Sequence, residues 1–476
     1  MLQGNLPAQR KTSAELRDML CAEKSAAREK LSLLFDAGTF AELGSFVKRT
    51  PTELDSALGA KSDSSEFESV ICGWGAVNGA LTFAFAQDFS KMKGALSASH
   101  AKKIISLIDA AIKNGAPLVC IFDSAGALIA DGVGALAGFA GILKKLSEAK
   151  GSIPTIAVCD GICAGSAAAA AALCDVVCAS KTAQIYVNPP FITKKQLGVS
   201  DAGTAAHGAQ CGLVDIIAED SDSLIKDVKN ILGYLPANSG EGTVRDVTND
   251  DLNRLTPEIE TLAASNCDVR DIITVIADEG KFTELGQSGD RSMVCGFMLL
   301  GGTVVGALAN NSAVNAGRIS AHGASKAADF IDLCDSFSIP LISLVNTEGY
   351  AVTPETENAD FASSLASLAE AYALSDCVRI TLILGAAYGG AYVVMGSKEL
   401  GADVVFALDS AKIGALSADA AQAFLDGGKK ETAQLWETEL SSPLAAARDG
   451  QIDDIIACEE TRQRLISAIN MLTFSL

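Results

Sequence analysis

Two stretches of the chain superpose without a gap when one is shifted by 223 residues, so whatever the first folds into, the second must fold into as well. Gly73, Gly79, Gly94, Ser97, Lys103, Asp109, Pro117 and Gly126 meet Gly296, Gly302, Gly317, Ser320, Lys326, Asp332, Pro340 and Gly349. Farther on the match survives small length changes. Ala164-Gly165-Ser166 answers Gly389-Gly390-Ala391, and Asp175-Val176-Val177 answers Asp403-Val404-Val405. One fold is written twice, and each copy carries two glycine-bearing turns that follow apolar strands.

The alternation of patterns gives that fold a class. Residues Ser13 to Phe46 show helical spacing, and Lys48 to Glu68 reads as a loop. Strands are expected at Ser69–Val77 and Leu81–Gln87, joined by the hairpin signal Asn78-Gly79. A helix over Ser97–Asn114 follows, then a buried strand at Pro117–Asp123 ending in Ser124-Ala125-Gly126, and a helix over Gly134–Lys150. The strand Thr155–Asp160, a turn over Gly161–Gly165 and an alanine-rich helix from Ser166 complete the first copy. In the second copy the matching strands are Pro340–Asn346 and Ile380–Leu384. Strands alternating with helices predict an α/β fold with mostly parallel sheets. The Gly-, Ser-, Thr- and Asp-rich stretch Asn238–Pro257 reads as the linker, giving two domains, 1–240 and 241–476.

Composition excludes several functions. A formal net charge of −21 opposes general nucleic-acid or anionic-membrane binding, which needs a positive field. No signal-peptide pattern and no apolar run of about 18 residues occurs, so a cytoplasmic protein without a membrane span is expected. A chain that is 49% hydrophobic and 20% charged is expected to hide surface in a homo-oligomer. The thirteen cysteines lie mostly in apolar runs and form no CxxC pair. Cys159/Cys163 and Cys174/Cys178 have the spacing of one helical turn, but no second pair or nearby histidine joins them, so no metal is assigned.

Conventional catalytic groups are scarce: His100, His207 and His322 are the only histidines, and no triad, P-loop or paired-carboxylate pattern is present. What the turns offer instead is backbone. A glycine-bearing turn between a buried strand and a helix leaves N–H groups free, and two such turns on neighbouring strands aim two donors at one oxygen. That arrangement stabilises an enolate or a tetrahedral oxyanion. The same glycines also serve tight packing, but paired turns at matching places in both halves favour two related ligand sites.

At Ala27-Arg28-Glu29-Lys30-Leu31, Ala86-Gln87-Asp88-Phe89, His100 with Lys103, Cys163-Ala164-Gly165, Tyr388-Gly389-Gly390-Ala391-Tyr392, Met395-Gly396-Ser397-Lys398 and Gly401-Ala402-Asp403 the chain resembles the carboxyltransferase subunits of biotin-dependent acyl-CoA carboxylases and decarboxylases. This group contains propionyl-CoA carboxylase beta subunits and methylmalonyl-CoA decarboxylase alpha subunits. The resemblance implies two tandem crotonase-like (ClpP/crotonase) βα-superhelix domains, the first for acyl-CoA and the second for carboxybiotin delivered on a separate carrier protein. It implies that Ala125, Gly126, Ala164, Gly165 and Ser166 hold the thioester, and that Gly349, Tyr350, Gly389, Gly390 and Ala391 hold biotin, with Gly165, Ser166, Gly390 and Ala391 as the catalytic set. Further implied are a trimer of dimers and partner subunits: the biotin carboxyl carrier, with a biotin carboxylase or a membrane pump. Lys91, Lys93 and Lys103 are candidates for the phosphates of CoA, and His100 for a structural role.

Departures from the family pattern stand at the turns: Ala125 and Leu128 replace a glycine and an arginine, Glu348 replaces a proline, Ala386-Ala387 replaces a basic pair, and Val393 replaces a frequent aspartate. Three functions are compatible with these residues. They are a carboxylase subunit, the transferase of a sodium-pumping decarboxylase that runs the same site in reverse, and a non-catalytic assembly subunit.

Overall fold

A computed structural model describes Thr12, Glu15 and residues 25–57, 67–354, 356–357, 360–425 and 430–474. The strands are β1 (Ala41–Leu43), β2 (Val70–Val77), β3 (Ala80–Gln87), β4 (Leu118–Ser124), β5 (Thr155–Ala164), β6 (Val176–Ser180), β7 (Gln184–Tyr186) and β8 (Ile216–Ala218). The second half repeats them as β9 (Phe282–Leu285), β10 (Met293–Leu300), β11 (Thr303–Asn310), β12 (Leu341–Thr347), β13 (Arg379–Tyr388), β14 (Val404–Leu408), β15 (Lys412–Gly414) and β16 (Asp454–Ile456). The strand order is β1-β2-β3-β4-β5-β6-β8 in one sheet and β16-β14-β13-β12-β11-β10-β9 in the other, with β7 and β15 paired to the far ends of β5 and β13.

Register carries the duplication into three dimensions. Gly73 pairs with Ala84 in the first β-hairpin and Gly296 with Ala307 in the second, the same residues in the shifted numbering. Both hairpin turns use two residues in the left-handed region, Asn78 and Gly79 at φ 50° and 81°, Gly301 and Gly302 at φ 61° and 76°. The three strands at this edge of each sheet are antiparallel, and the remaining pairings are parallel.

Alternating side chains divide the core between faces. On β3, Phe83 and Phe85 pack with Ile104, Leu107 and Ile108 of the helix Ala98–Asn114, while Ala84 and Ala86 face Leu31, Leu34, Leu224 and Val228. That second face is continuous with Phe297, Leu308 and Phe330 of the other half, so the two halves share one apolar layer. Tyr234 stacks on Phe297 with ring centroids 5.7 Å apart and bonds Thr283 through its hydroxyl at 3.1 Å. Buried thiols such as Cys72, Cys120 and Cys178 fill gaps as small hydrophobes.

Several expectations are corrected. Of the helical stretch expected from Ser13, the described residues show helix at Glu15 and over Ala26–Leu34, ended by Phe35 and followed by β1; residues 13, 14 and 16–24 lie outside the described residues. The loop after Lys48 contains a short helix, Glu53–Ala57, before residues 58–66, which also lie outside them. Strands β5 and β13 run four residues beyond the predicted Asp160 and Leu384, because β7 and β15 extend the ladder past the bend at Gly161 and Gly385. Cys159 and Cys163 consequently lie along one strand, not on a helical turn. The linker is pinned: Asp246 N–H donates to Gly302 O at 2.8 Å and Val304 N–H to Val244 O at 2.9 Å.

Candidate functional site

The turns after β4 and β12 are held by the same bonds, residue for residue. Ala125 N–H donates to Lys93 O at 3.0 Å, as Glu348 N–H does to Ala316 O at 3.2 Å. Gly126 O accepts from Leu96 N–H at 2.8 Å, and Gly349 O from Ile319 N–H at 3.1 Å. Ser124 Oγ takes the Gly126 N–H at 3.1 Å, and Thr347 Oγ1 the Gly349 N–H at 3.2 Å. Gly126 and Gly349 stand at φ 104° and 134°, a region that only glycine enters without strain.

These bonds decide which groups are free. The N–H groups of Ala125, Gly126 and Glu348 and Gly349 are committed, whereas Ala127 and Tyr350 sit at the centre of parallel bridges to Leu96 and Ile319. The bridged residue's own N–H points away from its partner strand, and among the described residues neither Ala127 nor Tyr350 N–H has a protein acceptor. After β5, Gly165 N–H donates to Tyr186 O at 2.8 Å, and the next donor, Ser166 N–H, opens the helix Ser166–Ala171 and has no acceptor within it. Gly390 N–H lies likewise in the first turn of the helix Gly389–Val393.

The pairing of the second turns shifts by one residue from the sequence expectation. Gly165 at φ 62° matches Gly389 at φ 60°, because each follows the last residue of its strand, Ala164 or Tyr388. Ser166 thus corresponds to Gly390, and Ala167 to Ala391; Ala164 is the end of a strand, not the first turn glycine.

What packs over each turn explains that difference. A Cβ on Gly390 would stand 2.6 Å from Tyr350 Oη and 3.0 Å from Tyr350 Cε2, so only glycine leaves room beneath the ring. The residue matching Tyr350 in the first half is Ala127, and there Ser166 carries a side chain. Tyr350 is itself fixed by an edge-on contact with Phe361, ring centroids 5.6 Å apart. Under Gly126 the nearest group is Ala164 O, 3.6 Å from where a Cβ would be. The structure therefore places Gly126 beside Ala164, and Tyr350 on Gly390. Among the described residues no hydrogen bond joins the first set to the second.

A brace that sequence reasoning missed holds each pair of turns together. Asp123 Oδ1 accepts from Ile162 N–H at 3.1 Å, and Asn346 Oδ1 from Ala386 N–H at 3.0 Å. Gly161 and Gly385 make room, since a Cβ there would meet these oxygens at 2.2 and 2.7 Å. The signal available in the sequence was an amide or carboxylate at one register position in both copies, each answered by a glycine. In the first half Lys30 reaches the site, with Nζ 3.1 Å from Asp160 Oδ2 and 4.0 Å from Asp123 Oδ2. Burial pushes Asp123 up, while at Asp160 burial is outweighed by the Ser221 and Ser180 hydroxyls and Lys30, which hold its carboxyl low.

Of the remaining polar candidates, Lys103 and His100 are buried in hydrogen bonds within the fold. Lys103 is buried, its Nζ bonded to Val70 O at 2.7 Å, and Lys326 repeats this with Met293 O at 2.8 Å; Lys103 is thereby removed as a phosphate ligand. Lys93 lends its carbonyl to the Ala125 turn. His100 is wholly buried between Ser69 Oγ at 3.1 Å and Gln87 Nε2 at 3.3 Å, and burial, helped by the charge of Lys103, pushes its imidazole down to about 3. The unfolded chain takes up this proton near the ordinary 6.5, so stability is full above that value and falls as pH drops from 6.5 toward 3. Denaturant midpoints measured across this window should show the decline, and a His100→Gln variant should lose about one proton's worth of its slope.

A cleft of about 390 Å³ borders the second pair of turns, between Gly389, Tyr392, Val393 and Ala415 on one side and Leu440 and Ala446 on the other. Large apolar side chains also stand exposed beside the first turn, Ile129 at 88% and Val133 at 79%. No helix among the described residues is long and apolar enough to cross a membrane.

With this geometry in hand, comparison with known proteins finds a family model described as the carboxyl transferase domain matching residues 21–474. The chain is 35% identical over 474 residues to the methylmalonyl-CoA decarboxylase subunit alpha of Propionigenium modestum, covering 94% of this chain and 90% of that protein. It is 32% identical over 467 residues to the propionyl-CoA carboxylase beta chain of Roseobacter denitrificans, covering 94% and 91%. Among solved structures, a transcarboxylase 12S crystal structure described as a hexamer assembly, with methylmalonyl-coenzyme A and methylmalonic acid bound, aligns at a TM-score of 0.89 and 30% identity over 96% of this chain and 91% of that one.

Proposed function

The chain belongs to the carboxyl transferase domain family, and on that premise we propose that it moves a carboxyl group between carboxybiotin on a carrier protein and a short-chain acyl-CoA. The observation that carries this reading is the pair of matching turn sites, each presenting one N–H from a strand-following turn and one from the helix beside it: Ala127 with Ser166, and Tyr350 with Gly390. We assign residues 1–240 to the acyl-CoA ester and 241–476 to biotin.

Carboxybiotin supplies an activated carboxyl group on a ureido nitrogen. In the net change that N–C bond breaks, the carboxyl carbon bonds to the α-carbon of the ester, and the α-proton passes to the nitrogen. The protein's part is electrostatic. Ala127 and Ser166 N–H stabilise the negative charge that develops on the thioester oxygen, and Tyr350 and Gly390 N–H the charge on the ureido oxygen. Ala125, Gly126, Gly165, Gly349 and Gly389 shape these holes, and Ala164 and Ala391 keep their walls small. Holding both reactants in one geometry removes much of the entropic barrier. The space over Gly349, where a Cβ would meet nothing within 4 Å, and the apolar cleft beside Gly389 suit a bicyclic ring and its chain.

The exposed Ile129 and Val133 beside the first site support burial of that surface against another copy in a trimer of dimers. A hexameric arrangement is described for the transcarboxylase neighbour. Biotin carboxyl carrier protein is the expected partner in either direction of transfer, with a biotin carboxylase or a membrane pump subunit completing the enzyme, and the cytoplasm is the expected location.

The test is transfer of labelled carboxyl from malonyl-CoA and methylmalonyl-CoA to biotin or to a biotinylated carrier. Label arriving on biotin is expected, and its relative rate ranks the esters. A folded oligomer that neither transfers label nor binds any CoA ester would point to a non-catalytic assembly subunit.

A further inference from the structure

The two turns match in backbone but not in charge. At the second, Arg318 Nη2 lies 3.0 Å from Glu348 Oε2, and both side chains are about half exposed. In the shifted register these positions are Ala95 and Ala125, so the first turn has no counterpart of the pair. Backbone bonds fix the ion pair at the site. Arg318 precedes Ile319, which bridges Tyr350, and Glu348 precedes Gly349 while donating its own N–H to Ala316 O. The charge of Glu348 is also felt at the end of β13: the Tyr388 hydroxyl is pushed up first by burial, and Glu348 is among the carboxylates that add to it.

The pair is open to solvent. An exposed ion pair contributes little to folding. Glu348 takes one bond from Nη2, leaving Nε and Nη1 of Arg318 without an acceptor among the described residues. The neighbouring cation on β15, Lys412, is occupied by Glu437 at 2.6 Å. Arg318 is thus the cation beside the second hole whose planar fork still has donors to offer, and a guanidinium fork matches a carboxylate.

We propose that Arg318 is a specificity-determining residue that receives the carboxylate of the carboxylated donor at the second turn, with Glu348 holding it in reserve. This rests on the two-site carboxyltransferase reading. Glu348 competes with the substrate for the same guanidinium, so removing the two partners should have opposite effects, whereas a pair that serves only structure would lose with either.

The experiment uses the full-length protein with N-carboxybiotin amide as donor and propionyl-CoA as acceptor, and biotin amide as acceptor from malonyl-CoA in the reverse direction. An Arg318→Gln variant should raise KM for the carboxylated donor about tenfold, as loss of a charge-assisted contact does, with KM for propionyl-CoA and for uncarboxylated biotin amide within about twofold of wild type. Glu348→Gln should lower KM for the carboxylated donor, and the double variant should behave as Arg318→Gln does. Shifts of the same sign in the two single variants, or equal losses with carboxylated and uncarboxylated biotin amide, would overturn the assignment while leaving the two-site reading intact. A wild type that transfers nothing in either direction would overturn both.

Discussion

Replacing Gly390 by valine should lower carboxyl transfer by about 10²–10³-fold, the usual loss of one oxyanion donor, while leaving CoA-ester binding in the first half unchanged. The cause is space rather than backbone strain, since even the first added carbon would come within 2.6 Å of Tyr350 Oη and 3.1 Å of its Cζ. Tyr350 is the residue whose N–H we propose as the other donor, and its ring is held by Phe361, so relief of the clash must move that N–H or the ring beside it. The duplication supplies a control. The first half solves the same problem with Ala127 and Ser166, a small residue opposite a larger one. Gly390→Ser combined with Tyr350→Ala copies that solution, and should recover more transfer than Gly390→Ser alone. Equal activity of Gly390→Val and wild type, measured by label transfer to biotin, would remove Gly390 from the site.

The repeat makes much of this architecture legible in the sequence, because register is a property of spacing and spacing is written in the chain. Asn78-Gly79 specified a hairpin turn, and the strand after Pro117 and its glycine turn fell where expected. Hydrogen-bond partners brought by other parts of the chain were less legible. Gly165 looked like a free donor, but Tyr186 O, on a three-residue strand with little pattern of its own, takes its N–H. Gly126 likewise spends its donor on the Ser124 hydroxyl two residues back. The offset between Gly165 and Gly389 arose because Gly-Gly-Ala and Ala-Gly-Ser align by composition at one position and by left-handed φ at the next. Glu348 was visible as a departure, whereas Arg318 gained meaning only when folding set it beside that carboxylate.

The largest loss of stability is expected far from either hole, at Arg462. Its guanidinium is wholly buried, bonded to Ile276 O at 2.6 Å and to Asp278 Oδ1 at 2.7 Å. Asp278 in turn accepts Gly301 N–H at 2.9 Å and Gly302 N–H at 2.8 Å, bracing the β10–β11 turn. The first half braces its own turn in the same way, Asp36 accepting Gly79 N–H at 2.8 Å and Asn78 N–H at 3.3 Å, but there the carboxylate is partly exposed to water, which can solvate its charge. Burial is what makes the second version costly to break. An Arg462→Met change strands a charge with only 2% of Asp278 exposed, and the expected cost is about 3–5 kcal/mol, against roughly 1 kcal/mol for Asp36→Ala. Denaturant unfolding of the two variants should separate them clearly. Adding Asp278→Asn to Arg462→Met should return part of the loss, because the amide oxygen still accepts one turn N–H and the buried charge at 278 is gone, while Asp250, 3.6 Å from Arg462, keeps Arg254 as its partner at 2.9 Å. If Arg462→Met cost no more than Asp36→Ala, the second brace would have to draw its strength from the backbone bonds alone.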